Sequence, residues 1–227
     1  MSQRHYSPDQ LISSPQPDSP SKSKRMREGG STSKLLASAS RFREDEVCIG
    51  DYRYRVADEI GAGYSSRVYR ATGKDKQDYA VKVIEMRRFS ASGLEMMENE
   101  IEILKALTHP NIIRLYHVHR TQAHTYLVTE LCREGDLLEY MARRGRLSEE
   151  AASTVMADVF EGVKHLMKVG IIHRDLKPAN ILRSERTWKI ADFGFSIYGK
   201  EEVRTRQNVG TPLYMPIESL LKNIYSA

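Results

Sequence analysis

A chain of 227 residues, 40% hydrophobic and 29% charged with a net charge of +5, has room for one domain or two small ones and the composition of a soluble globular protein. Its two cysteines, Cys48 and Cys132, exclude a disulfide framework and a CxxC metal site and suit a reducing compartment. No apolar run approaches the ~18 residues of a membrane span and no signal-type stretch is read, so an intracellular protein, cytoplasmic or nuclear, is expected, with no membrane span.

Residues 1–50 are rich in Ser, Pro, Lys and Arg and poor in large apolar side chains. Such a segment cannot offset its ordering entropy and is expected to be a disordered tail. Ser7, Ser14 and Ser19 each precede Pro, beside Lys22, Lys24, Arg25 and Arg27. Proline-directed phosphorylation near an import signal and a plain solvated linker both remain open for it.

From Asp51 the pattern predicts strands at YRVADEIG, SSRVYRA and DYAVKVIEM. Between the first two lies GAGYSS, Gly61 to Ser66, whose glycines let backbone N–H groups approach phosphate oxygens. A strand follows rather than a helix, which fits neither a dinucleotide fold nor a P-loop. Lys82 sits between Val81 and Val83 on the third strand and points to the opposite face. A half-buried ammonium needs a partner, and Glu98, Glu100 and Glu102 of the next helix are candidates. That helix opens on a capping box, Ser92-Gly93-Leu94-Glu95, and presents Leu94, Met97, Ile101 and Leu104 on one face. Strands IIRLYHVH and TYLVTEL follow, with His117 and His119 read as surface residues rather than metal ligands. Ser148, followed by Glu149 and Glu150, starts a long helix with a stripe of Val155, Val159, Val163 and Leu166. Strands with one helix, then mostly helix, make an α+β body in two lobes.

The chemistry concentrates in IIHRDLKPAN, Ile171 to Asn180. Asp175 can accept a proton from a hydroxyl, Lys177 can neutralise a transferring phosphoryl group, and Asn180 can hold a hard cation through its carbonyl oxygen. Asp192-Phe193-Gly194 closes the strand-like TWKIAD and supplies a second acidic ligand, so Asn180 and Asp192 make a pair for Mg²⁺.

These pieces, in this order, resemble the eukaryotic protein kinase family from about Tyr52 to Glu218. The resemblance implies a bilobal fold, with a β-rich N-lobe over 51–131 carrying one key helix and a mainly helical, incomplete C-lobe over 132–227. It implies ATP and Mg²⁺. Gly61, Ala62 and Gly63 correspond to the loop over the phosphates, Lys82 to the strand-three lysine and Glu100 to its helix partner. Asp175 corresponds to the catalytic base, and Asn180 and Asp192 to the metal ligands. Val68, Ala80 and Leu182 fall around adenine, Thr129 at the gatekeeper, Glu130 to Cys132 at the hinge and Asp136 near the ribose. Lys177 with Gly210-Thr211-Pro212 is similar to the serine/threonine branch, which implies protein substrates bearing Ser or Thr and no nucleic acid. A non-catalytic nucleotide-binding or scaffolding module of the same fold is the competing expectation.

The sequence departs from the family pattern at Ser66, which replaces the third glycine, and at Ile217, which replaces the proline of Ala-Pro-Glu before Glu218. The family also implies a central apolar helix and further helices beyond Ala227, so an apolar patch is expected where they would pack. Arg174 is of the type that waits for an activation-loop phosphate, and Thr205, flanked by Arg204 and Arg206, is the site expected for an upstream kinase.

Overall fold

A computed structural model describes residues 45–63, 65–199, 202–205 and 209–226. The expected tail and its Ser-Pro sites fall almost wholly outside them.

Strands β1 (Glu46–Ile49), β2 (Tyr52–Ala62), β3 (Ser66–Gly73), β4 (Asp78–Glu85), β5 (Leu115–Arg120) and β6 (His124–Glu130) form one antiparallel sheet in the order β1-β2-β3-β4-β6-β5. β1 was not foreseen. Glu46 pairs with Arg55 and Ile49 is buried, so the folded body begins ahead of the boundary expected near residue 50. The strand expected from Ile112 starts instead at Leu115. Ile112 and Ile113 are buried in the core below, Ile112 forming a bridge with Ile190.

Alternation along β4 sorts the sheet's two faces. Val81, with Tyr54, Tyr69 and Val128, builds a core on one side, while Ile84 packs with Met97 and Ile101 of helix α1 (Ala91–Ala106) on the other. Lys82 shares the face of Ile84, as the pattern predicts. The helix starts one cap earlier than expected, because Ser90 rather than Ser92 accepts the Gly93 N–H.

The lower core gathers around helix α3 (Glu149–Val169), which Ser148 caps by accepting the Ala151 N–H. Val155 and Leu166 are buried and Val159 and Val163 pack beside them, so the predicted stripe faces the core. Helix α2 (Leu137–Arg144) precedes it, and Gly170 in the left-handed region ends it. The chain then passes through β7 (Ile171–Ile172), the pair β8 (Ile181–Ser184) and β9 (Thr187–Ile190), β10 (Ile197–Tyr198), β11 (Val203–Arg204), α4 (Ile217–Lys222) and β12 (Ile224–Tyr225). β10 pairs with β7, and β11 pairs with β12. This is the curled-sheet and helical two-lobed fold expected from the sequence. Phe160, Met156 and Met167 on α3 and Leu213, Ile217 and Leu221 near α4 are exposed. Among the described residues no helix is long and apolar enough to cross a membrane.

Candidate active site

Of the three acids offered by α1, Glu100 meets Lys82. Lys82 Nζ donates to Glu100 Oε1 at 2.7 Å and lies 3.7 Å from Asp192 Oδ1. Glu98 is committed to Arg120, and Glu102 is exposed. Burial opposes the Lys82 charge, but the Glu100 and Asp192 carboxylates outweigh it and hold the ammonium's pKa above its ordinary value. Asn99 of α1 adds a tie by donating to the Ser196 carbonyl at 2.6 Å.

A second array is built on the loop after β7. Asp175 is buried and accepts on Oδ1 from Thr211 Oγ1 at 2.7 Å. Its Oδ2 accepts from Lys177 Nζ at 2.7 Å and from Asn180 Nδ2 at 3.1 Å. Lys177 Nζ also donates to Thr211 Oγ1 at 2.9 Å. Burial alone would raise the Asp175 pKa, but the Lys177 and Thr211 hydrogen bonds dominate and keep it below the usual carboxylate value. A carboxylate offers about four lone-pair sites; these side chains occupy three and leave room for one more donor.

His173 supports this loop from beneath. Its Nε2 lies 3.1 Å from the Ala191 carbonyl, and its Nδ1 accepts the Asp175 N–H at 3.3 Å. Those contacts set the neutral tautomer with the proton on Nε2. The ring meets Phe193, which is fully buried, edge to face at 4.9 Å.

The two arrays join through backbone. Ala191 N donates to Asn180 O at 2.9 Å, which places Asp192 beside Asn180. Asp192 is exposed and holds φ +62, a left-handed conformation that non-glycine residues seldom adopt and that turns its carboxylate out of the β9 line. Asn180 commits its amide NH₂ to Asp175 through both the carbonyl and Oδ2. Its own Oδ1 is an oxygen of the kind that a hard divalent cation takes as a ligand.

The remaining predicted residues are spread over the sheet, the segment leading into α2, and β8. Gly61 and Ala62 end β2, and Gly63 begins the turn, its N–H bonded to Ser66 O at 2.8 Å. Val68 pairs with both Gly61 and Lys82, and Ala80 pairs with Thr129. Asp136 caps α2 by accepting the Glu139 N–H at 2.8 Å and bridges to Leu182. Burial pushes the Cys132 thiol up to about 12, so it is an inert core side chain. Glu130 lends no side chain to the cleft. Its Oε1 accepts the Arg114 N–H at 2.7 Å and its Oε2 lies 3.1 Å from Lys189 Nζ, so any hinge contact it makes uses backbone.

Lys189, His173 and Asn99 carry no role in the sequence reading above. Lys189 alternates with buried neighbours in TWKIAD, which marks it as facing the other way but does not name a partner on β6.

The protein kinase domain model matches residues 54–227. A probable myosin light chain kinase of Dictyostelium discoideum is 38% identical over 186 residues, covering 78% of this chain and 47% of that protein. The serine/threonine-protein kinase H1 homolog of Danio rerio is 36% identical over 181 residues, 77% of this chain and 42% of its own length. The serine/threonine-protein kinase ATG1c of Arabidopsis thaliana is 38% identical over 184 residues, 79% of this chain and 25% of its own. The chain thus spans less than half the length of these relatives.

Proposed function

This chain belongs to the eukaryotic protein kinase family, in its serine/threonine branch, and we propose that it transfers the γ-phosphoryl group of ATP to Ser and Thr hydroxyls of protein substrates. One observation carries the reading: the Lys82–Glu100–Asp192 array and the Asp175–Lys177–Thr211–Asn180 array are tied together by the backbone bond from Ala191 N–H to the Asn180 carbonyl. One array offers an ammonium for phosphate oxygens, and the other an ionised acid with one acceptor site left.

In this reading Lys82, held by Glu100, draws the phosphates to the sheet, under the Gly61–Gly63 turn. Val68, Ala80, Leu182 and the hinge backbone from Glu130 to Cys132 enclose the adenine, with Asp136 at the ribose. Asn180 and Asp192 would hold Mg²⁺, which supplies charge neutralisation between the phosphates when bound. Thr211 and Lys177 fix the acceptor side. Asp175 takes the acceptor's hydroxyl proton as the oxygen bonds to the γ-phosphorus and the bond to ADP breaks. Because Asp175 is held acidic, it is a weak base, and rate comes mainly from positioning and electrostatics. Thr205 is the proposed acceptor for an upstream kinase.

Incubation with γ-labelled ATP, Mg²⁺ and peptides differing only in Ser, Thr, Tyr or Ala tests the proposal. Label on the Ser and Thr peptides alone, lost in Asp175→Asn, is expected. Nucleotide binding without label on any peptide would replace the proposal with the non-catalytic module.

A further inference from the structure

Three consecutive residues of the activation segment are held by three different contacts. Thr211 is bonded to Asp175 and Lys177, as described above. Gly210 sits with φ +116 so close to the catalytic loop that a Cβ there would lie 2.5 Å from the Arg174 carbonyl oxygen, which only glycine permits. Val209 is held on both backbone groups by one side chain: its N–H donates to Tyr225 Oη at 3.2 Å, and Tyr225 Oη donates to its carbonyl at 3.0 Å.

The same Tyr225 occupies Arg174. The guanidinium carbon stands 5.1 Å from the centre of the Tyr225 ring, while Nε donates to the Phe195 carbonyl. Such a contact over an aromatic face stabilises a partly desolvated cation. Burial holds the Arg174 pKa below its ordinary value, and Tyr225 opposes that shift.

Tyr225 is itself firmly seated. It is buried, and β12 pairs with β11, Val203 opposite Tyr225 and Arg204 opposite Ile224. Thr205 N donates to Asn223 O at 3.0 Å, and the buried Ser219 of α4 donates to the Ile224 carbonyl at 2.7 Å. Asn223 turns the chain with φ +55. The segment is therefore gripped at Val203–Thr205 and again at Val209 by the run from Ser219 to Tyr225.

We propose that Tyr225 is a positioning residue for phosphoryl transfer: by gripping the Val209 backbone and covering Arg174, it sets Gly210 and Thr211 against Asp175 without a phosphate on the activation segment. The inference rests on the function proposed above. It makes phosphorylation of Thr205 dispensable for alignment, because an aromatic ring and a hydroxyl already engage the groups that a phosphate would order. The contacts of Tyr225 run to Val209 and Arg174, so its loss acts on acceptor alignment rather than on ATP.

Tyr225→Phe keeps the ring and removes both bonds to Val209, whereas Tyr225→Leu removes the cover on Arg174 as well. Amide exchange at Val209–Thr211 and steady-state kinetics, measured on phosphatase-treated protein, test the idea. Exchange is expected to rise roughly fivefold to twentyfold in Tyr225→Phe and further in Tyr225→Leu. kcat/KM for the peptide should fall in the same order, while the KM for MgATP stays within about twofold. Phosphatase-treated wild type and Thr205→Ala should retain most of the activity. Unchanged exchange in both Tyr225 variants would overturn the proposal, whether or not the chain transfers phosphate. Activity that vanishes on phosphatase treatment would also overturn it. A wild type that transfers nothing, yet shows the expected exchange pattern, would remove the kinase reading and leave the grip of Tyr225 on Val209 intact.

Discussion

Lys82 and Glu100 stand 18 positions apart in the chain and close to 2.7 Å between strand β4 and helix α1. Glu100 is buried and Lys82 only partly so. Removing the ammonium leaves a buried carboxylate without its partner. Lys82→Met is expected to cost roughly 2 kcal/mol of stability, below the range for a fully buried pair because Lys82 still reaches solvent. Peptide phosphorylation should fall by about 100-fold or more. Urea unfolding and initial rates check the two effects separately, and a variant as active as wild type would refute the assignment.

The Thr211 hydroxyl ties the activation segment to the Asp175 carboxylate. Thr211→Val keeps the shape and deletes the donor, so kcat should drop roughly 10- to 100-fold with the KM for ATP little changed. Thr211→Ser should restore most of it. Equal rates for Val and Ser at this position would mean that the hydroxyl does not position the acceptor side.

Gly162 on α3 faces β9, where a Cβ would lie 2.8 Å from Ile190 Cδ1 and 2.9 Å from the Asn111 carbonyl oxygen. The Ile190 methyl can swing away. The carbonyl cannot, since it accepts the Ile190 N–H at 2.9 Å. Gly162→Ala gains about 1 kcal/mol of helix propensity but loses more to overpacking, about 1–3 kcal/mol. A net fall in Tm of roughly 2–6 °C is expected for a domain of this size. A rise in Tm would show that the helix and the strand are not in contact here.

Burial pushes the His173 pKa below its ordinary 6.5. The unfolded chain then binds the proton first as pH falls, so stability declines below the unfolded value of 6.5. Asp175 acts in the same direction but has no bearing on the neutral range. Its pKa is depressed from 3.8, so its stabilisation is present above that value and is lost only as pH falls through the lower folded pKa. Wild-type unfolding free energy should therefore fall between about pH 7.5 and about pH 5, before the carboxylate is reached. His173→Gln should be less stable at the upper pH and show a flatter profile. Parallel profiles for the two proteins would exclude His173 as a source of the acid sensitivity.

The parts of this molecule that the sequence made legible are those written in local pattern. Alternation in YAVKVI put Lys82 on the face opposite Val81, and the stripe from Val155 to Leu166 marked the buried side of α3. The loop from Asp175 to Asn180 carries its chemistry within a few residues, so its role could be read before its geometry. Long-range choices were not written locally. Local pattern left Glu98, Glu100 and Glu102 equivalent, so that only the family resemblance singled out Glu100, and a serine two residues earlier took the cap. β1 contains only Glu46 to Ile49, too short to show a period of its own, and is stabilised by pairing with Arg53 and Tyr54. Tyr225 reads as one aromatic near a polar turn; its partners Val209 and Arg174 lie 16 and 51 positions earlier, and only the pairing of β11 with β12 brings them together.

The central claim is that Lys82, Glu100, Asp192 and Asn180 form one site for a metal-bound triphosphate. Calorimetric titration of ATP into the chain, with Mg²⁺ and with EDTA in its place, for wild type and for Asp192→Asn, tests it most directly. The account predicts binding by wild type that weakens at least about tenfold when the metal is removed, and a metal effect that disappears in Asp192→Asn. ATP binding that is indifferent to both metal and Asp192, or no binding in any arm, would contradict it.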